Sequence, residues 1–267
     1  MTTKTPSSKA SETKLILPSK LTYKIQGDNM QFIEVSLAKD QAIRAEPGSM
    51  LYMEEGIELE TTTGGGLWKG FKRMLTGDRL FISSFSYKGT GSRKVAFAAP
   101  YPGKITTLEI GKETYLCQKD SFLCAVPSVD IDIAFTKRLG AGLFGGEGFI
   151  LQKLSGSGHA FIHAGGNMLE RTLKAGETIR VDTGCIVAFQ DSVSYDIQFI
   201  GGFKNALFGG EGIFLATLSG PGKIILQSLP LARLAGRIQQ AGSREEKRGV
   251  AGIGGNVLGG ILGGDNE

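Results

Sequence analysis

A block written three times constrains this chain more than any other feature. Met74-Leu75-Thr76-Gly77-Asp78-Arg79-Leu80-Phe81 returns as Leu143-Phe144-Gly145-Gly146-Glu147-Gly148-Phe149-Ile150, and again as Leu207-Phe208-Gly209-Gly210-Glu211-Gly212-Ile213-Phe214. Each copy holds two apolar residues, a glycine-bearing turn, one acid and an apolar strand. A Gly-x-Gly corner follows every time, at Gly89-Thr90-Gly91, Gly156-Ser157-Gly158 and Gly220-Pro221-Gly222. A second outline also recurs, as strand, corner and strand, at 43–53, 115–125 and 179–189. Together the two halves make a unit of about 65 to 70 residues, and such a unit covers its apolar face only by packing on its neighbours.

The texture between these landmarks is alternation, turn, alternation. Forty glycines against eight prolines supply many tight corners. Short strands punctuated this densely predict an all-β architecture. We expect three related β modules around a pseudo-threefold axis, filling one domain over 21–230. Residues 1–20 read as a polar, flexible leader. Leu231, Leu234 and Ile238 have helical spacing and predict a short helix docked on the body, within a helix-and-charged-linker segment over 231–248. A glycine-rich, uncharged stretch dominates the tail at 249–267.

The net charge of +4 belongs to the ends. Residues 1–20 carry +3, residues 233–248 another +3, and Asp265 and Glu267 subtract two, which leaves the body neutral. Nucleic-acid proteins concentrate basic charge on the folded face that meets phosphate, so no specific nucleic-acid partner is expected. No apolar run reaches the ~18 residues of a spanning helix. The Ser/Thr/Lys-rich start has no apolar stretch before Leu15 and no arginine before Arg44, unlike a secretory signal or a transit peptide. Cys117, Cys124 and Cys185 sit in apolar surroundings and predict buried, inert thiols in a reducing compartment.

Candidate sites are few. His159 and His163 share a strand face, but Lys223 and Gln227 replace them in the third repeat and no acid lies between them, so no metal site is predicted. Asp78, Glu147 and Glu211 occupy one repeat position. Converging about a threefold they would suit a hard cation, whereas each alone accepts hydrogen bonds from its own glycine turn, which is the expected reading. Gly77, Gly146 and Gly210 are the expected turn glycines. Ser157 stands between glycines but lacks the Gly-x-Ser-x-Gly elbow of a nucleophile. Trp68 and Phe71, beside Lys69, Lys72 and Arg73, would stack a base, meet a membrane, or form the apolar side of a short helix or loop. Because such loop residues and the sheet edges need cover, Trp68 and Phe71 are expected at a homo-oligomer interface, with a trimer as the natural extension of an internal threefold.

The Leu-Phe-Gly-Gly-Glu-Gly blocks at 143–148 and 207–212, each followed by Leu-Ser-Gly-x-Gly, resemble the mitochondrial biogenesis (altered inheritance of mitochondria) family. Gly64-Gly65-Gly66-Leu67-Trp68-Lys69-Gly70 and Glu46-Pro47-Gly48-Ser49-Met50 fit it as well. The resemblance covers nearly all of 21–230. It implies double-stranded β-helix modules, similar in fold to the tryptophan RNA-binding attenuation protein, and it implies oligomers. It supplies no established activity, and the RNA ligand of the fold's namesake does not transfer with the fold.

The expected function is therefore a non-enzymatic homo-oligomeric scaffold without cofactor, bacterial and cytoplasmic or alternatively mitochondrial. Peripheral membrane contact would run through the glycine-rich tail, with a link to membrane organisation. The alternatives are an RNA-binding ring and a small-molecule or metal-binding β-helix protein.

Overall fold

A computed structural model describes residues 21–46, 48–63, 81–111, 113–137, 149–200, 213–238 and 241. Among the described residues the alternation becomes strands. The N-terminal part holds β1 (Thr22–Gln26), β2 (Phe32–Ala38), β3 (Gln41–Ala45), β4 (Met50–Met53), β5 (Ile57–Thr63), β6 (Phe81–Tyr87) and β7 (Ser92–Ala98). Then come β8 (Gly103–Ile110), β9 (Tyr115–Gln118), β10 (Phe122–Ala125), β11 (Val129–Lys137), β12 (Phe149–Gly156) and β13 (Gly158–Gly165). The last set is β14 (Met168–Leu173), β15 (Thr178–Asp182), β16 (Ile186–Gln190), β17 (Ser194–Ile200), β18 (Ile213–Ser219) and β19 (Gly222–Gln227). β2 shows the rule at work: Ile33, Val35 and Leu37 are fully buried, and Glu34 and Ser36 between them face outward.

One pairing scheme recurs in three blocks, β2–β7, β8–β13 and β14–β19. The sixth strand of each block pairs with the first and the third, and the fifth pairs with the second and the fourth, always antiparallel. The third–sixth pair slips register at the same place each time, between Met50 and Tyr52, Phe122 and Cys124, and Ile186 and Ala188. A bulge there bends the third strand and re-aims its end.

The blocks are joined by sharing sheets. β3 of the first block pairs with β10 of the second, Ala45 opposite Cys124 and Arg44 opposite Ala125. β9 of the second pairs with β16 of the third, Cys117 opposite Ala188 and Leu116 opposite Phe189. The result is two six-stranded sheets that each span a block boundary, β5-β6-β3-β10-β13-β8 and β11-β12-β9-β16-β19-β14. A four-stranded sheet β1-β2-β7-β4 lies at one end and a three-stranded sheet β15-β18-β17 at the other. A pseudo-threefold arrangement would return the third block to the first. Among the described residues the strand pairings join the blocks in series, first to second and second to third.

Three of the four joint strands, β9, β10 and β16, are buried on both faces, which explains their apolar sequences, whereas β3 buries only the face of Ile43 and Ala45. Phe122-Leu123-Cys124-Ala125 and Ile186-Val187-Ala188-Phe189 are buried throughout. Cys117 and Cys124 are fully buried, and desolvation pushes both thiols far up from their ordinary range. Cys185 departs from the expected burial. It sits half-buried in the 3-10 corner Thr183–Cys185, where its sulfur lies 3.8 Å from Arg233.

A helix, α1, forms over residues 231–238. Its expected docking face is not buried as a whole: Leu231 and Ile238 are exposed and only Leu234 is half-covered. The Leu234 N–H to Pro230 carbonyl bond closes its first turn, and the Arg233–Asp182 ion pair at 3.0 Å ties it to the corner of the third block. The turn glycines Gly77, Gly146 and Gly210, the acids Asp78, Glu147 and Glu211, Trp68 and Phe71 all lie outside the described residues, as do 1–20 and 249–267.

Two glycines separate backbone strain from crowding. Gly156 (φ 92°) has its would-be Cβ 2.3 Å from the Ser128 carbonyl oxygen, whereas Gly176 (φ 79°) faces open space. Gly176→Ala should cost only the left-handed conformation, about 1–2 kcal/mol. Gly156→Ala adds a clash with backbone and should cost about 2–4 kcal/mol. Urea denaturation of both variants checks the ranking, and equal losses would contradict it.

Candidate functional site

The described surface holds a cleft of about 240 Å³ where the corners of the second and third blocks meet the start of α1. Tyr101, Gln118, Asp120, Gln227, Pro230 and Leu231 contribute to its walls. Its polar groups come from strand ends, and each is engaged by the fold. Gln118 precedes the 3-10 corner Lys119–Ser121, where its Oε1 accepts the Asp120 N–H at 3.0 Å and its Nε2 donates to Asp120 Oδ2 at 3.2 Å. Asp182 caps the equivalent corner of the third block, accepting the Gly184 N–H at 2.9 Å. Gln227 spans the two strand systems, accepting from Gly165 N–H and donating to the Gly184 carbonyl, both at 2.8 Å. These are capping and bridging roles that satisfy buried backbone groups.

Two titratable groups lie near this region. His163 is buried on β13 with its ring edge-on to Tyr101 at 4.7 Å, and desolvation lowers its pKa to about 4, so the imidazole is neutral at physiological pH. Glu46 directly follows β3 at the first joint, where its N–H donates to the Leu123 carbonyl and its carbonyl accepts from Ser49. Burial, and secondarily the charge of Asp120, push the Glu46 carboxyl up to about 7 against the opposing influence of Lys119. Among the described residues it is the one carboxyl raised so far. A general base must also reach the proton it abstracts, and Glu46 is not among the residues that line the cleft.

The sequence-level candidates that can be placed fall elsewhere. His159 and His163 do share a face of β13, but aromatic packing takes up both rings, with Tyr23 5.9 Å from His159. Among the described residues no cluster of three His, Cys, Asp or Glu side chains is placed to hold a metal ion. Ser157 is exposed, and its backbone bonds to Ser128 at 3.0 Å and 2.6 Å close the Gly156–Gly158 corner. Sequence reasoning missed Glu46, Tyr101 and Asp120. The turn after Glu46 was visible in the sequence, but the desolvation of the Glu46 carboxyl goes with a second block that lies against it, the Glu46 N–H being bonded to the Leu123 carbonyl.

A different feature stands out on the surface. On β4, Met50, Leu51 and Met53 are 41%, 53% and 39% exposed. Their counterparts by block, Phe122, Leu123 and Ala125 on β10 and Ile186, Val187 and Phe189 on β16, are all buried. Tyr52 between them is held in place by its hydroxyl, which donates to Glu34 on β2, itself paired with Lys94 at 2.8 Å. That hydrogen bond lifts the Tyr52 hydroxyl to about 12 and keeps it protonated.

Glu46 carries a pH signature whose sign follows from its raised pKa. The folded state holds the proton up to about 7, the unfolded chain only to about 4.5, so this contribution is full below 4.5 and lost as pH rises through 7. His163 acts oppositely, stabilising above 6.5 and losing that as pH falls toward 4. Glu46→Gln isolates the first effect: its stability relative to wild type should rise between pH 5 and pH 8 by roughly 1–3 kcal/mol. Urea midpoints across that range provide the check, and a constant difference would contradict the buried neutral carboxyl.

Comparison with known proteins agrees with this architecture. The family model described as Mitochondrial biogenesis AIM24 matches residues 23–229. An uncharacterized protein of Streptococcus pyogenes serotype M6 is 31% identical over 222 residues, spanning 79% of this chain and 88% of the relative. The X-ray crystal structure of a Streptococcus pyogenes protein superposes with a TM-score of 0.69 at 28% identity, over 83% of this chain and 100% of that one. With the match running from the first strand to the end of the last, this chain belongs to the Mitochondrial biogenesis AIM24 family.

Proposed function

We propose that this protein is a non-enzymatic interaction protein that works as an assembly of identical copies. The exposed apolar strand β4 carries this reading. An edge strand presenting Met50, Leu51 and Met53 to water is an attachment site, because soluble proteins protect such edges with charge, proline or cover. The polar side chains around the cleft support it from the other side, since they cap corners and bridge strands and leave little chemistry over. A body with no net charge favours protein contacts over phosphate. Among the described residues no helix is long and apolar enough to cross a membrane. The reducing bacterial cytoplasm suits two fully buried, unpaired thiols.

Sedimentation equilibrium of the full-length chain at micromolar concentration should give an integral multiple of the 28.4 kDa monomer. A monomer throughout the tens-of-micromolar range would overturn the reading. Specific RNA affinity that persists at 200 mM salt, a concentration at which contacts to phosphate alone are weakened by orders of magnitude, would replace it with the ring-like alternative.

A further inference from the structure

Resting on the self-assembly reading, we propose that β4 of one copy pairs with β15 of the next, in the register that already joins the blocks within the chain. The partner is a second copy of this protein, and the joint is a continuous antiparallel sheet.

Both internal joints use the same two strands of the scheme: the second strand of one block meets the third strand of the next. β3 meets β10 and β9 meets β16. Two strands of these classes are left over, β4 as the third strand of the first block and β15 as the second strand of the third block. Each lies at a sheet edge among the described residues. Their sheets are also the two incomplete ones. Placing β15 beside β4 yields β17-β18-β15-β4-β7-β2, with β1 added at the end, which is the strand order of both internal six-stranded sheets.

Burial supports the same pairing from both sides. Strand β4 is exposed along its apolar residues where β10 and β16 are buried. Strand β15 is likewise more open than β9: Thr178 and Arg180 are exposed, whereas Tyr115 through Gln118 are all buried. Register can be carried across residue by residue. Ala45 opposite Cys124, and Cys117 opposite Ala188, place Val181 opposite Tyr52. Arg44 opposite Ala125, and Leu116 opposite Phe189, place Arg180 opposite Met53. At the first joint the Arg44 guanidinium crosses the boundary to donate to the Val129 carbonyl. Arg180 occupies the Arg44 position, and the residue at the Val129 position of the first block is Ile57. Arg180 therefore donates to the Ile57 carbonyl of the next copy. Because the two edges differ, the interface is head-to-tail, and the row grows until geometry closes it.

Sedimentation velocity on charge-altered full-length chains tests the joint. Met53 and Arg180 are both exposed, so substitutions there leave the fold intact, which circular dichroism verifies. Met53→Lys sets a lysine opposite Arg180 and should weaken assembly at least about tenfold, as should Arg180→Glu. Combining the two in one chain should restore it, because the lysine then faces a glutamate. A second arm places Met53→Cys and Arg180→Cys in one chain that also carries Cys185→Ser. Mild oxidation should produce a ladder of cross-linked chains on a non-reducing gel, since residues facing across an antiparallel pair lie within disulfide reach. A monomeric wild type overturns both this joint and the self-assembly reading. Wild-type assembly unaffected by Met53→Lys and Arg180→Glu overturns the joint and leaves self-assembly standing. A cross-link formed within single chains means that the two edges meet in one molecule, and it too overturns the proposal.

Discussion

Backbone hydrogen bonding across block boundaries is the interaction on which the rest of this structure depends. A six-strand block has open sheet edges and an apolar face that it cannot hide alone. Pairing β3 with β10 and β9 with β16 removes four of those edges and turns separate small sheets into two large ones. Full burial of Cys124, Ala125, Val187 and Ala188 follows directly, since these side chains are covered only when the neighbouring block is in place. The main hydrophobic cluster accordingly draws residues from all three blocks, from Val35 and Phe97 through Phe161 to Val187 and Ile225.

The joints also explain where the unusual electrostatics fall. Glu46, Arg44, Tyr101 and Cys117 all lie near boundaries, and burial shifts each of them away from its charged form. Such perturbed groups often mark active sites, but structural networks produce them as well. Here each shift accompanies a corner or a strand end that a second block covers. Arg44 gives up solvent to donate across the first joint, and Glu46 sits where its backbone holds that same joint together.

Much of this was readable from the residues alone. The Gly-x-Gly corners at 89–91, 156–158 and 220–222 do fall between consecutive strands, and Gly91, Gly156, Gly158 and Gly222 in them have positive φ. The strand outlines at 43–53, 115–125 and 179–189 became the second and third strands of each block. What could not be read is which copies of an apolar strand are covered. Met50-Leu51-Tyr52-Met53 and Phe122-Leu123-Cys124-Ala125 look alike as sequences, and only the presence of β3 beside β10 separates them. The C-terminal helix teaches the same lesson. Leu231, Leu234 and Ile238 have the period of a docked helix, yet its first and last apolar residues face outward, and the Arg233–Asp182 pair is what holds the helix to the third block. Burial of a side chain is a property of neighbours distant in sequence, and periodicity reports only local geometry.

The two fully buried thiols have a use beyond packing. Cys124 lies in the β3·β10 joint and Cys117 in the β9·β16 joint, so nature has placed one sulfhydryl at each boundary. Neither meets solvent while its boundary is closed. Alkylation kinetics at the two positions, resolved by peptide mass, thus read the opening of each boundary separately, without any engineered label. Matching rates would identify the row as a single cooperative foldon, and unequal rates would rank its two seams by strength.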